Sequence, residues 1–292
     1  INNRAHLAFY GLYATINKAY LCDLGGETIL SGEIEASLVR LYQDLTKRTG
    51  VQEEDGIALS RQSFRVPKRS GLPDLTRYAK LNFGFGQTKI VGYTEASRGC
   101  KHLCRHCPVV PVYQGRFFVV QREVVLADVR QQVEAGAEHI TFGDPDFFNG
   151  PGHAIPLVES FHAEFPNTTY DATIKVEHLL AHRDKLSILA KTGCLFVTTA
   201  VEEVDNNVLG KLEKRHTRAD FVEAVGSART AGLTLSPTFI PFHPWTTPSG
   251  YLDLLSMIIE MDLIENVAPV QLAIRLLIPE GSRILELAEM KN

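Results

Sequence analysis

Apolar and polar positions follow a regular order in the last two thirds of the chain. Short apolar runs, which indicate buried strands, occur at 90–95, 138–143, 168–174, 194–200, 234–240 and 269–277. Apolar residues recur at helical spacing between these runs, in 123–135, 177–191, 218–231 and 248–261. Strands that alternate with helices predict βαβ units and a parallel sheet. Because six strands are fewer than the eight of a closed barrel, we expect a partial (β/α)6 barrel.

The N-terminal part of the chain carries a smaller α/β pattern. Residues 5–10 and 27–30 predict two short strands, and residues 34–45 repeat apolar positions on one helical face. A segment of this size cannot bury a doubly wound sheet alone, so we expect part of a larger α/β domain at 1–48. A plain packing scaffold without chemistry of its own is the alternative.

The stretch 49–88 differs from both of its neighbours. Charged residues crowd together there with few apolar repeats, and Pro67, Gly71 and Pro73 interrupt it. We therefore predict a linker at 49–88, between the N-terminal fragment and a barrel domain at 89–292.

Composition and charge restrict the partners and the compartment. The chain has 292 residues, of which 45% are hydrophobic and 22% charged, as in a globular protein. Its net charge of −4 favours no nucleic-acid partner, and no apolar run is long enough to predict a membrane span. Five cysteines without a secretory signal indicate the reducing cytoplasm. Because the chain begins at Ile1 rather than Met, we expect a piece of a longer polypeptide.

Three of the five cysteines lie close together, directly after the first barrel strand. Cys100, Cys104 and Cys107 have the spacing C-x3-C-x2-C, and clustered thiolates indicate zinc or an iron–sulfur cluster. Structural zinc sites favour C-x2-C pairs with four ligands, and the sequence has no second pair. Three thiolates could hold three corners of a cubane cluster and leave one iron open. A non-catalytic scaffold stabilised by zinc stays as the alternative of another class.

The cysteine spacing together with the repeated βα units resembles the radical S-adenosylmethionine (SAM) superfamily. The resemblance implies a [4Fe–4S] cluster on Cys100, Cys104 and Cys107, with SAM bound at the open iron. It implies an enzyme that cleaves a carbon–sulfur bond of SAM reductively and forms a carbon radical. It also implies a small-molecule substrate and an electron donor such as flavodoxin or ferredoxin. His106 stands where the family has a side chain near the adenine of SAM.

Further site residues follow from the same resemblance. Gly143 and Asp144 stand where the family has a Gly-Gly-Glu type motif that holds the SAM ammonium, although the spelling differs. Glu202 stands at the position for the ribose hydroxyls, and Arg215 for the SAM carboxylate. Each has a plainer interpretation: a strand-end turn, a solvated helix start and a basic cluster beside a helix. Lys175 and Glu177 at the end of the third strand, and His243 and Trp245 at the end of the fifth, are weaker candidates.

Four sequence runs narrow the resemblance to one subgroup, and they lie at 99–108, 141–147, 174–180 and 271–279. Its members have an N-terminal cobalamin-binding domain and a C-terminal tail of the Cys- or selenocysteine-Cys-Ala-Glu-Pro type. The run Gly32-Glu33-x-Glu35 resembles the end of that flavodoxin-like (Rossmann-type) domain, which makes cobalamin a candidate cofactor. The resemblance implies transfer of a SAM-derived group, methyl first, to a small molecule in natural-product biosynthesis. Transfer of the 3-amino-3-carboxypropyl group to a soft acceptor such as arsenite is the alternative.

Overall fold

The computed structural model describes residues 5–47, 56–82, 84 and 86–290. The chain divides into two compact units. The first unit consists of Ile1–Gln62, Gly99–Arg116 and Leu277–Asn292, and the second, which we call the barrel unit, of Ser63–Arg98 and Phe117–Leu276. The domain boundaries drawn from the sequence stay a prediction.

The N-terminal part of the first unit is a small parallel α/β layer. Its elements are β1 (Ala8–Tyr10), α1 (Leu12–Ile16), α2 (Lys18–Asp23), β2 (Thr28–Gly32), α3 (Glu35–Lys47) and β3 (Gly56–Ala58). The strand order is β1-β2-β3, and the central strand β2 is buried over four of its five residues. Gly32 ends β2 with a φ of +80°, and a Cβ atom there would lie 2.1 Å from the carbonyl oxygen of Ala58. The close approach of β3 therefore requires glycine.

The remaining elements alternate between strands and helices. They are β4 (Lys80–Asn82), β5 (Thr88–Thr94), β6 (Ser97–Gly99), α4 (Val109–Tyr113), β7 (Phe117–Val119), α5 (Arg122–Glu134), β8 (His139–Phe142), α6 (Pro151–Glu164), β9 (Thr169–Thr173), α7 (Val176–Ala181), α8 (Leu186–Lys191), β10 (Cys194–Glu202), α9 (Asn206–Lys211), α10 (Arg218–Thr230), β11 (Thr234–Phe239) and α11 (Pro248–Glu260). The main sheet has the order β11-β10-β9-β8-β5-β4. Its strands are parallel except β4, which is antiparallel to β5. The predicted partial barrel is confirmed. Within the described part of the chain, no helix combines the length and apolarity needed to cross a membrane.

Two expected elements differ from the structure. The apolar run 269–277 forms no sixth parallel strand, because Pro269 begins a 3-10 helix, and only Arg275 forms a bridge, to Phe242. The backbone N–H of Phe239 in β11 donates instead to the side chain of Gln271, at 3.3 Å. The helix expected at 177–191 is divided into α7 and α8 by a 3-10 helix at Arg183–Lys185.

The two faces of the main sheet have different environments. Alternate strand residues, including Ile140, Phe142, Tyr170 and Val197, belong to the hydrophobic core with residues of the helices. The rings of Phe142 and Tyr170 meet edge to face with centroids 5.5 Å apart. Residues of the opposite parity point to the other face, which is the open face of the curled sheet. The parallel strands end at one edge, where chemistry gathers in such barrels.

Candidate functional site

The cysteine loop lies in the first unit, between β6 and α4. Cys100 and Cys104 are 8% and 7% exposed, Cys107 is half-buried, and none of the three forms a disulfide bond with a described residue. The N–H of Cys107 donates to the carbonyl of Cys104 at 3.2 Å, and the N–H of Val110 donates to the carbonyl of Cys107 at the same distance. The turn thus leads directly into α4. Three largely buried thiols on one short loop fit a soft metal or an iron–sulfur cluster.

Two residues fix the entrance of the cysteine loop. Gly99 has a φ of +76°, and a Cβ atom there would lie 2.4 Å from the ring of Tyr113 and 2.5 Å from the carbonyl oxygen of Arg116. The hydroxyl of Tyr113 donates to Oε1 of the buried Glu33 at 3.1 Å. Tyr113 therefore packs on the residue before Cys100 and anchors α4 to the N-terminal α/β layer. Nothing in the sequence marked Tyr113 as a site residue.

The C-terminal segment supports the backbone of the same loop. Oγ of Ser282 donates to the carbonyl of Arg105 at 3.2 Å, and Nη1 of Arg283 donates to the carbonyl of Leu103 at 2.6 Å. These carbonyls flank Cys104, so the two donors restrict how this part of the loop can move. His106 lies half-buried on the loop, and its contact with adenine stays a prediction.

At the end of β8, Gly143 and Asp144 both contact residues at or just after the end of β5. Oδ2 of Asp144 accepts from the N–H of Ala96 at 2.9 Å, and Oδ1 accepts from the hydroxyl of Ser97 at 2.5 Å. Burial of this carboxyl group raises the pKa of Asp144 to about 7. A Cβ atom at Gly143 would lie 1.8 Å from the hydroxyl oxygen of Tyr93. Glycine at this position lets the Tyr93 ring lie over the strand end.

At the end of β10, Glu202 forms a buried ion pair. Nζ of Lys214 donates to Oε1 of Glu202 at 3.2 Å, and the side chains of Lys214 and Glu202 are 3% and 9% exposed. A bulge separates Ala200 from Glu202, and Glu202 has a φ of 72°. A positive φ costs free energy for a residue other than glycine, and backbone strain of this kind is concentrated at functional sites.

The segment after α9 contains the candidate Arg215, but the residues on either side of it are the ones that are buried. Lys214 and His216 are buried, whereas Arg215 is exposed and has a φ of 58°. His216 is 6% exposed, and neither ring nitrogen has a hydrogen-bond partner among the described residues. Burial, followed by the positive charges of Lys214 and Lys175, lowers the pKa of His216 to about 4. The structure therefore brings Lys214, not Arg215, to Glu202.

Lys175 completes this group at the end of β9. Its side chain is buried, and Nζ lies 3.6 Å from Oε2 of Glu177. Its positive charge is one cause of the lowered pKa of His216, after burial and the charge of Lys214. We name Lys175, Glu202, Lys214 and His216 the strand-end cluster. It offers two ammonium groups, one carboxylate and one neutral imidazole inside the barrel unit.

Two carboxylate–histidine pairs flank the strand-end cluster. Oδ2 of Asp146 lies 2.7 Å from Nδ1 of His178, and both side chains are buried. Oε2 of Glu203 lies 2.9 Å from Nε2 of His243. Of these four residues, only His243 was a candidate from the sequence, although Asp146 and His178 lie inside two of the runs that narrowed the resemblance.

Known proteins similar to this chain include methyltransferases. The hopanoid C-3 methylase of Methylococcus capsulatus is 26% identical over 226 residues, which cover 75% of this chain and 43% of that protein. The radical SAM methyltransferase TsrM from Kitasatospora setae, solved with tryptophan substrate and a SAM analog, has a TM-score of 0.73 at 16% identity. That match covers 88% of this chain and 54% of TsrM. The cobalamin-dependent SAM radical enzyme OxsB, solved with aqua-cobalamin, has a TM-score of 0.65 at 14% identity, over 98% of this chain and 42% of OxsB. The two structural matches show a shared fold.

The chain spans about half the length of these relatives. The family model of the radical SAM superfamily matches residues 94–258, which is more than half of the chain. The match begins at the last residue of β5, contains the cysteine loop and the strands β8 to β11, and reaches α11. The chain therefore belongs to the radical SAM superfamily.

Proposed function

We propose that this chain is the SAM-cleaving part of an enzyme that transfers a methyl group from SAM to a small molecule. The observation that carries the proposal is the loop of three largely buried cysteines, which form no disulfide bond with a described residue and lie inside the family match. A [4Fe–4S] cluster, when bound, supplies the electron that cleaves a carbon–sulfur bond of SAM.

The cysteine loop is the proposed holder of the cluster. Cys100, Cys104 and Cys107 supply three thiolates, and one iron is left without a protein ligand. The hydrogen bonds from Ser282 and Arg283 to the loop carbonyls restrain the backbone on both sides of Cys104. His106, on the same loop, is the proposed neighbour of the adenine.

The strand-end cluster is the proposed holder of the polar groups of SAM. Glu202 accepts hydrogen bonds from the ribose hydroxyls in this proposal, and Lys214 or Lys175 pairs with the SAM carboxylate in place of the exposed Arg215. His216 contributes a neutral imidazole whose ring nitrogens are available for hydrogen bonds. A charged ligand thereby exchanges its water shell for fixed partners of opposite charge.

Gly143 and Asp144 have a modified role in this proposal. Both oxygens of the Asp144 side chain already accept hydrogen bonds from Ser97 and Ala96. We therefore assign the SAM ammonium to the backbone carbonyls of Gly143 and Asp144. The Asp144 side chain positions this strand end by holding it against the chain that leaves β5.

Cobalamin is the proposed second cofactor and methyl carrier. The N-terminal α/β layer, with Gly32 and Glu33 at the end of β2, has the character expected for the end of a cobalamin-binding domain. TsrM and OxsB have both been solved with cobalamin bound. We further propose that flavodoxin or ferredoxin supplies the electron. The proposed location is the cytoplasm, and the proposed role is in natural-product biosynthesis.

The identity of the SAM-derived product tests the proposal. The anaerobically reconstituted protein is incubated with SAM, a reductant, cobalamin and candidate acceptors, and the products are measured by mass spectrometry. We expect S-adenosylhomocysteine together with 5′-deoxyadenosine. Methylthioadenosine formed only with arsenite would favour transfer of the aminocarboxypropyl group instead. Stoichiometric zinc without SAM cleavage would support the scaffold alternative and refute the proposal.

A further inference from the structure

A row of hydroxyl groups crosses the open face of the main sheet. Thr173 of β9 is the register partner of Thr198 of β10, and Thr198 is the register partner of Ser236 of β11. Register partners on neighbouring strands lie side by side on the same face of a sheet. All three side chains are partly exposed. We name Thr173, Thr198 and Ser236 the hydroxyl row.

A carboxylate lies beside this row, two residues before Thr173 and therefore on the same face. Oδ1 of Asp171 accepts from the hydroxyl of Thr141 at 2.6 Å and lies 2.8 Å from Nε2 of His139. Nδ1 of His139 lies 2.9 Å from Oγ1 of Thr169. In the described part of the chain, no hydrogen bond ends on Oδ2, the second oxygen of Asp171.

The partners of His139 fix its tautomer. A carboxylate oxygen only accepts hydrogen bonds, so the ring nitrogen of His139 that faces Oδ1 of Asp171 must be the donor. Nε2 of His139 then carries the proton that is donated to Asp171. The network therefore holds one oxygen of the carboxylate in place and leaves the other for a donor from outside.

The opposite face of the sheet is mostly apolar. The neighbouring strand residues of opposite parity, such as Ala172, Val197 and Leu235, are at most 4% exposed and lie in the apolar core. Hydroxyls and a carboxylate on a closed face would be costly without partners, whereas on an open face they can serve a ligand. A predominantly polar surface in a site indicates a ligand that makes hydrogen bonds.

We propose that the small-molecule substrate is hydrophilic and bears an ammonium group that contacts Oδ2 of Asp171, with its polar groups along the hydroxyl row. This inference rests on the proposed function, because it takes the open face as the place of the methyl acceptor. A bare hydrocarbon would offer no hydrogen-bond partner to Oδ2 of Asp171 or to the hydroxyl row. The site therefore discriminates against hydrocarbon acceptors.

Crystals of the cluster-loaded protein, soaked either with methylammonium or with xenon, test this inference. We expect methylammonium within hydrogen-bond distance of Asp171 and no xenon on the hydroxyl row. Asp171→Asn should lose the bound methylammonium. Thr88→Val, which changes an exposed residue of β5, is the matched control and should keep it. Xenon on the hydroxyl row, methylammonium retained by Asp171→Asn, or neither probe bound would each overturn the inference.

A SAM cleavage assay on the same preparations separates this inference from the proposed function. Methylammonium on Asp171 in a protein that cleaves no SAM would refute the proposed function and leave the polar ligand site standing. SAM cleavage in a protein whose open face takes xenon but not methylammonium would refute the substrate class alone.

Discussion

The ammonium group of Lys214 lies 3.2 Å from a carboxylate oxygen of Glu202, and both side chains are almost completely buried. Removing two charges from water costs free energy that their attraction only partly offsets, so such a pair is poor evidence of stabilisation. The left-handed backbone of Glu202 adds strain at the same place. A buried charge pair on a strained strand end fits a ligand site better than a structural link.

Replacing Lys214 by Met should destabilise the protein and abolish SAM binding. Glu202 would keep a buried charge without its partner, which costs about 3–5 kcal/mol in the free energy of unfolding. The double variant Lys214→Met/Glu202→Met should recover most of that loss but still not bind SAM. Urea unfolding and equilibrium dialysis with SAM measure the two effects.

The neighbouring Arg215→Met is the matched control for this experiment. Because Arg215 is exposed, its replacement should change the free energy of unfolding by about 0.5 kcal/mol or less and leave SAM binding intact. Normal SAM binding by Lys214→Met, or its loss in Arg215→Met, would contradict the assignment of Lys214.

Asp144 should make the protein less stable as the pH rises. Its pKa is about 7 in the folded protein against an ordinary value of 3.8, so the folded state binds the proton more tightly. The contribution of Asp144 to the free energy of unfolding is therefore fully present below pH 3.8 and is lost as the pH rises through about 7. Asp144→Asn should flatten this part of the stability profile, measured by urea unfolding across the range. An unchanged slope would show that Asp144 does not titrate there.

His216 should act in the opposite direction. Its pKa is lowered from 6.5 to about 4, so the folded state disfavours the protonated imidazole. The associated stability is present above pH 6.5 and is lost as the pH falls through about 4. The ring protons of His216, followed by NMR, should titrate near pH 4. A midpoint near the ordinary value would mean that water reaches the ring freely.

The C-terminal support of the cysteine loop gives a fourth prediction. Arg283→Ala removes the donor to the carbonyl of Leu103, and because this hydrogen bond is exposed, its loss should cost only about 0.5–1.5 kcal/mol. We expect the variant to release iron to a chelator several-fold faster than the wild type. Glu280→Ala, at a nearby exposed position, should release iron at the wild-type rate. Equal rates in all three proteins would exclude a supporting role for Arg283.

The alternating pattern of apolar runs predicted the parallel strands because a buried strand must be apolar whatever its partners are. The pattern did not predict the end of the sheet. Pro269 removes a backbone donor, and Gln271 replaces a neighbouring strand with its side chain. An apolar run carries no information about such a single side-chain hydrogen bond.

The strand-end cluster was predicted only in part. Glu202 ends a strand, so its position followed from the fold. The choice between Lys214, Arg215 and His216 depended on the left-handed backbone at Arg215, which three consecutive polar residues do not reveal. The contact between Tyr113 and Glu33 joins residues 80 positions apart, and no local pattern predicts it.

The iron and sulfide content of the anaerobically reconstituted protein, measured with and without Cys104, tests the central claim most directly. We expect roughly four irons and four sulfides per wild-type chain, with the broad visible absorbance of a [4Fe–4S] cluster. Cys104→Ala should lose the cluster and all cleavage of SAM, whereas Cys22→Ala, at an exposed cysteine of α2, should keep both. A colourless wild-type protein with one zinc per chain, or a Cys104→Ala variant that cleaves SAM at the wild-type rate, would contradict the account.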